Sequence, residues 1–283
     1  MKNIDLNRLW LTIKWDTVTN WKHARRMTLS ITFGLALFFI ANVMGAYGHD
    51  SNPAYAVSEL NMMGATTVGM MSLFLSAFTS LILTTLRTKQ QRISFLMQPA
   101  SNMEKFISRV LYSTVGAFAI IIVGLFLADM LRALLDLMLN QRYIGSVTIE
   151  VFKTLYNIVT DAYAPCRVAG STVQAPLIYL MMVLWLILGY TTFILGGTFF
   201  RRQPWLCTVG VMVVIIYLTV FAFITFADMQ SVKTFFENLE NVSPTAVIIV
   251  LDIILAAAIA FELWASYKLF CRMQVINNKW TNL

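Results

Sequence analysis

The sequence predicts an all-α integral membrane protein with six transmembrane helices and both termini on the cytoplasmic side. Three observations carry this. Only 12% of the 283 residues are charged while 58% are hydrophobic, about half the charge of an ordinary water-facing surface. The apolar residues gather into runs long enough to cross about 30 Å of hydrocarbon, which takes roughly 20 helical residues. The basic residues are also distributed asymmetrically across the predicted bilayer.

In chain order, residues 1–26 read as an N-terminal interfacial amphipathic helix. Leu6, Leu9, Trp10, Ile13 and Trp21 share one helical face, while Asn7, Arg8, Lys14 and Lys22 lie mostly elsewhere. Tryptophans at 10, 15 and 21 suit the headgroup layer, where an indole ring is half buried. The spans follow at about 27–47, 62–86, 110–130, 176–199, 205–227 and 244–267. Uncharged stretches underlie the first five, and Asp252 and Glu262 interrupt the sixth. The first run exceeds a signal-peptide core and is read as a retained helix. Pro176, Pro204 and Pro244 stand at the starts of spans four, five and six, where a missing N–H costs nothing. No span carries a proline kink, so broken-helix ion sites are not signalled.

The largest outer connection, about Asp129–Gln174, lies between spans three and four. Leu134, Leu135, Leu137, Met138 and Leu139 extend the third helix beyond the bilayer. Ile149, Phe152, Leu155, Tyr156 and Val159 recur at helical spacing, which predicts an amphipathic helix at the outer interface, either a cap over an exit path or a packed cover.

Placing the N-terminus inside puts sixteen of the 21 Lys and Arg residues on the cytoplasmic side and leaves five outside, the bias expected of an inserted protein. The formal charge of +7 therefore speaks for topology and membrane lipid. No RNA-reading aromatic motif accompanies it, and nucleic acid is not expected as a partner. Cys166, Cys207 and Cys271 form no CxxC pair and suggest neither a disulfide framework nor a metal site.

Enzyme signatures are missing: there is no GxxxxGK[ST], HExxH or GxSxG. His23 and His49 flank span one, and no sequence motif pairs them as ligands or as acid and base. The sequence names no catalytic residue and implies no cofactor. Asp252 lies eight residues past Pro244, about 12 Å into the membrane. A carboxyl there is costly and a functional candidate. It belongs to a translocation path, or it hydrogen-bonds a neighbouring helix. Ala256, Ala257, Ala258 and Ala260 follow it and allow close helix approach.

The most informative stretch is the second loop, Arg87–Arg109. Ile93, Phe95, Leu96 and Met97 form an apolar patch among polar residues, and Pro99 ends that segment. Ser101 and Glu104 have the spacing of a capping box, which starts a helix running into span three. An amphipathic element, a break and a capped helix continuous with a span make a handle for a cytoplasmic partner. The plain alternative is an ordinary helix start below the membrane.

The stretch from Gln98 to Arg109, with Pro99, Ser101, Glu104, Lys105 and Arg109, resembles the loop between spans two and three of ABC-2-type transporter permeases. That family often shows a proline, a small or hydroxyl residue, and a glutamate followed by basic residues before span three. The resemblance covers the whole chain in layout and about a dozen residues in motif. It implies the membrane subunit of an ATP-driven exporter in a bacterial cytoplasmic (inner) membrane, coupled to a separate P-loop ATPase subunit and working as a homodimer or with a related permease. The coupling loop would then hold Phe95, Pro99, Ser101, Glu104, Lys105 and Arg109. One departure is that many members place their outer helical element between spans five and six. Here Asp228–Ser243 is short and the larger segment follows span three. Two other classes remain open: a non-transporting membrane sensor or assembly subunit using the same loop, and an intramembrane enzyme built on Asp252.

Overall fold

The computed structural model describes residues 5–46, 53–83, 89–138, 145–162, 167–168, 171–172, 175–226 and 243–272. Ten α-helices make up nearly all of this: α1 (Leu6–Thr19), α2 (Trp21–Ala46), α3 (Pro53–Ser80), α4 (Lys89–Leu96), α5 (Asn102–Leu111), α6 (Ala117–Met138), α7 (Val147–Ala162), α8 (Ala175–Phe199), α9 (Pro204–Phe226) and α10 (Pro244–Cys271). A π-helical turn, Tyr112–Gly116, joins α5 to α6. Two two-residue strands, β1 (Arg167–Val168) and β2 (Ser171–Thr172), pair antiparallel between α7 and α8.

Six helical runs are long and apolar enough to cross a membrane: Trp21–Val43, Val57–Ser80, Asn102–Met138, Pro176–Phe199, Pro204–Ala222 and Thr245–Cys271. The chain is a multi-pass membrane protein. The helices extend beyond several of the predicted limits because helical hydrogen bonding does not stop where hydropathy falls. The third run is the clearest case, 37 residues from the capping box to Met138. His49, Arg87, Pro165, Cys166, most of Asp228–Ser243 and the tail after Arg272 lie outside the described residues.

The chain divides into two compact units. The first comprises residues 1–78 and 99–158. In it α2 packs along α6. Ile31, Leu35 and Phe39 recur every fourth residue on α2 and meet Ile121, Leu125 and Ala128 of α6, Met63 of α3, and Val147 and Val151 of α7. Lipid is as apolar as leucine, so helices in a bilayer associate through close packing and polar bonds. Gly124 shows the packing: a methyl group there would lie 2.9 Å from Ile31 Cγ2.

The helix predicted from the spacing of Ile149 to Val159 is present as α7. Val147 and Val151 are in the core with Leu155 against it, whereas Ile149, Phe152, Tyr156 and Val159 are exposed. Both faces of this helix are apolar, so periodicity alone could not decide between them. The observed arrangement is a packed cover over the first unit's core, with a second apolar stripe turned outward.

The second unit comprises residues 79–98 and 159–283. Here α8 packs along α10 and, less extensively, against α9. Gly196 makes the contact with α9 possible, since a side chain there would collide with Thr208, and Gly197 leaves room for the Ser80 carbonyl at the end of α3. Phe95 of α4 stands edge-on to Phe270 of α10, with ring centroids 6.1 Å apart. Most of α9 is exposed and apolar, as a lipid-facing helix should be.

Candidate functional site: the clamp between the first helix and the coupling segment

The capping box predicted at Ser101 and Glu104 is formed. Glu104 N donates to Ser101 Oγ at 3.2 Å, and Ser101 N donates to Glu104 Oε2 at 2.7 Å. Two donors of the first turn of α5 are thereby satisfied.

The same glutamate also holds a second helix, which the sequence did not reveal. Its Oε1 accepts the Asp5 backbone N–H at 3.0 Å and lies 3.4 Å from Arg8 Nη2. Asp5 in turn caps α1 by accepting the Asn7 N–H. One fully buried carboxylate therefore ties the start of α1 to the start of α5.

A second fastening lies at the far ends of the two helices. Arg109 Nη2 is 3.2 Å from Asp16 Oδ1, and Ser108 Oγ donates to Asp16 Oδ2 at 2.5 Å. Both members of the ion pair are almost wholly buried, at 2% and 0% side-chain exposure. Burial pushes the Asp16 carboxyl above its ordinary value, with Arg109 and Ser108 pulling the other way. A pair like this adds little net stability relative to apolar residues, but losing one partner leaves an uncompensated buried charge. The contact therefore specifies an arrangement more than it drives folding.

The face that α1 turns to α5 is accordingly polar: Thr12, Asp16 and Asn20 are buried. Leu6, Trp10 and Trp21 of the predicted apolar face are exposed. The exposed indoles agree with a helix lying in the headgroup layer.

Immediately beyond Arg109 the helix passes through the π-helical turn. Such turns insert a residue and rotate the faces that follow. The Ser113 and Thr114 hydroxyls both donate to the Val110 carbonyl, at 3.1 and 2.7 Å. They replace bonding that the wider turn disturbs. Above the turn, α6 directs Ile121 and Leu125 into the core against α2.

The residues named from the sequence thus divide. Ser101, Glu104 and Arg109 come together in the clamp. Lys105 is buried in the same helix. Phe95 belongs to the other unit and packs on Phe270, and Pro99 is an exposed stop between α4 and α5. Of the named side chains, Phe95, Glu104, Lys105 and Arg109 face inward. The exposed apolar groups of α4 and its end are Ile93, Leu96 and, at 79% exposure, Met97. Their signal was present in the sequence as part of the apolar patch, but the pattern could not say which member faced out.

A second polar cluster stands at the other end of α6. Asp129 accepts the Val147 and Thr148 N–H groups at 3.2 and 3.1 Å and the Ser146 hydroxyl at 2.5 Å. It therefore caps α7 from outside. Arg132 lies between Asp129 and Asp136, at 3.4 and 3.9 Å, and donates to the Gly145 carbonyl. Gly145 has φ +145, which a side chain would strain.

In the second unit Glu262 accepts hydrogen bonds from the Thr191 and Thr192 hydroxyls of α8. It acts as a bond between α10 and α8. Asp252, on the same helix, is 6% exposed, and neither carboxyl oxygen has a hydrogen-bond partner among the described residues. No cluster of three or more His, Cys, Asp or Glu fit to hold a metal occurs among the described residues.

No protein-family model matches the chain, and neither curated proteins nor solved structures give a match.

Proposed function

We propose that this chain is the membrane-spanning permease subunit of an ATP-driven exporter of the ABC-2 type, placed in a bacterial cytoplasmic membrane with both termini inside. A separate P-loop ATPase would supply the energy, and the chain would pair with itself or with a related permease. The observation that carries this reading is the doubly fastened α1–α5 pair at the foot of a helix that continues to Met138. A partner pressing on that foot moves a rigid lever rather than a flexible loop. Ligand binding can shift such a two-state device only through differential affinity, which ATP binding to the partner provides.

The segment meeting the partner would run from α4 through α5, with exposed Ile93, Leu96 and Met97 as its apolar contacts and Glu104 and Arg109 keeping the α5 end stiff. Tagging the chain in its host, extracting it in mild detergent and identifying what co-purifies tests the reading. A P-loop ATPase is the expected companion. A kinase or transcriptional regulator in its place would favour a sensor or assembly subunit.

A further inference from the structure

We propose that Asp252 is the anchoring carboxylate of a binding site for lipophilic organic cations. This deepens the permease reading by giving the cargo a cationic group, and it rests on that reading only in calling the ligand cargo.

Three observations lead to a cation with an apolar body. First, Asp252 is nine-tenths buried in α10, and both oxygens lack a hydrogen-bond partner among the described residues. α8, α9 and α10 carry no Lys or Arg until Lys268 near the end of α10. A carboxyl in this setting is costly to keep and marks a path or a ligand counter-charge by default. The other acid of the helix shows the contrast: Glu262, ten residues on, is held by two threonine hydroxyls.

Second, the neighbouring turns of α10 offer a bare metal ion no further ligand, and no cluster of three or more His, Cys, Asp or Glu fit for a metal occurs among the described residues. A hard cation takes about six oxygen ligands, yet the residues one turn either side on the same helix are Ile248, Ile249, Leu255 and Ala256. A lone carboxylate in an apolar setting suits a ligand that brings its own apolar shell, such as a tertiary or quaternary ammonium or a phosphonium.

Third, a lane beside Asp252 is open for that shell. Ile249, Ile253, Ala256 and Ala260 recur at helical spacing on α10 and are all exposed. The two alanines lower its floor. The apolar body would lie along this lane, and the charged centre would reach Asp252 one turn away. This gives a role to a carboxyl without a hydrogen-bond partner among the described residues, one turn from an exposed apolar strip.

The test uses the full purified chain in phosphatidylcholine nanodiscs, without ATPase or ATP, so that its outcome is separate from the fate of the permease reading. The probes are tetraphenylphosphonium and its neutral relative triphenylphosphine oxide. Wild-type protein is expected to bind the cation at least about tenfold more tightly than the neutral compound, since a buried charge left unpaired is expensive. Asp252→Asn should lose that preference while its melting curve stays unchanged, and Asp252→Glu should keep much of it. Should Asp252→Asn fail to fold, labelling of wild-type Asp252 by dicyclohexylcarbodiimide, read by mass spectrometry, replaces it. The cation should slow labelling and the neutral compound should not. Equal binding of the two probes, an unchanged preference in a folded Asp252→Asn, or labelling indifferent to the cation would overturn the proposal.

Discussion

At the scale of single residues, the first unit depends on charges that the chain consumes internally. Asp16→Ala strands the Arg109 guanidinium in a buried site and should cost about 3–5 kcal/mol in detergent unfolding. Replacing both members together, Asp16→Leu with Arg109→Met, should recover most of that loss, because no uncompensated charge remains. Additive losses in the double variant would show that the pair is not the fastening described above. Asp129 offers a separate case, since its carboxylate receives two N–H groups of α7. Asp129→Ala should cost about 1–2 kcal/mol, visible as faster amide exchange at the start of α7. The capping box was legible from two residue types at the right spacing, because its chemistry is local. The Glu104–Asp5 and Asp16–Arg109 contacts join residues more than ninety positions apart. Nothing in the spacing could have revealed them.

At the scale of elements, the spans were legible because hydrocarbon imposes a length and a composition that few other settings share. What stayed hidden was which face of an apolar helix packs. Around α7, apolar residues stand at both core and exposed positions, so the spacing from Ile149 to Val159 predicted the helix without saying which residues meet the core. Glycines mark some contacts better than hydropathy does. Gly196 is pressed against Thr208, so Gly196→Val should force α8 from α9 and cost about 1–3 kcal/mol of overpacking. The measure is unfolding of the purified chain. Gly189, with open space where a side chain would stand, is the control expected to tolerate alanine. The π-helical turn was also invisible in advance, although the adjacent hydroxyls of Ser113 and Thr114 are the groups that support it.

At the scale of the whole molecule, the two units are each held together by different means. The first unit has a fastened foot, a long third helix and a packed outer cover. The second has helices joined by glycines and threonine–glutamate bonds, with an unpartnered acid in its last span. Of the residues named for the coupling loop, Ser101, Glu104 and Arg109 are taken up in internal bonds, while Met97 at the end of α4 is exposed. Glu104→Arg would consequently break the clamp and confuse folding with docking. The most direct measurement compares the ATPase retained by the tagged wild-type chain with that retained by Met97→Glu, each beside its melting curve. Loss of the ATPase with an unchanged melt is expected if the exposed end of α4 is the contact. Full retention by the Met97→Glu chain would contradict it.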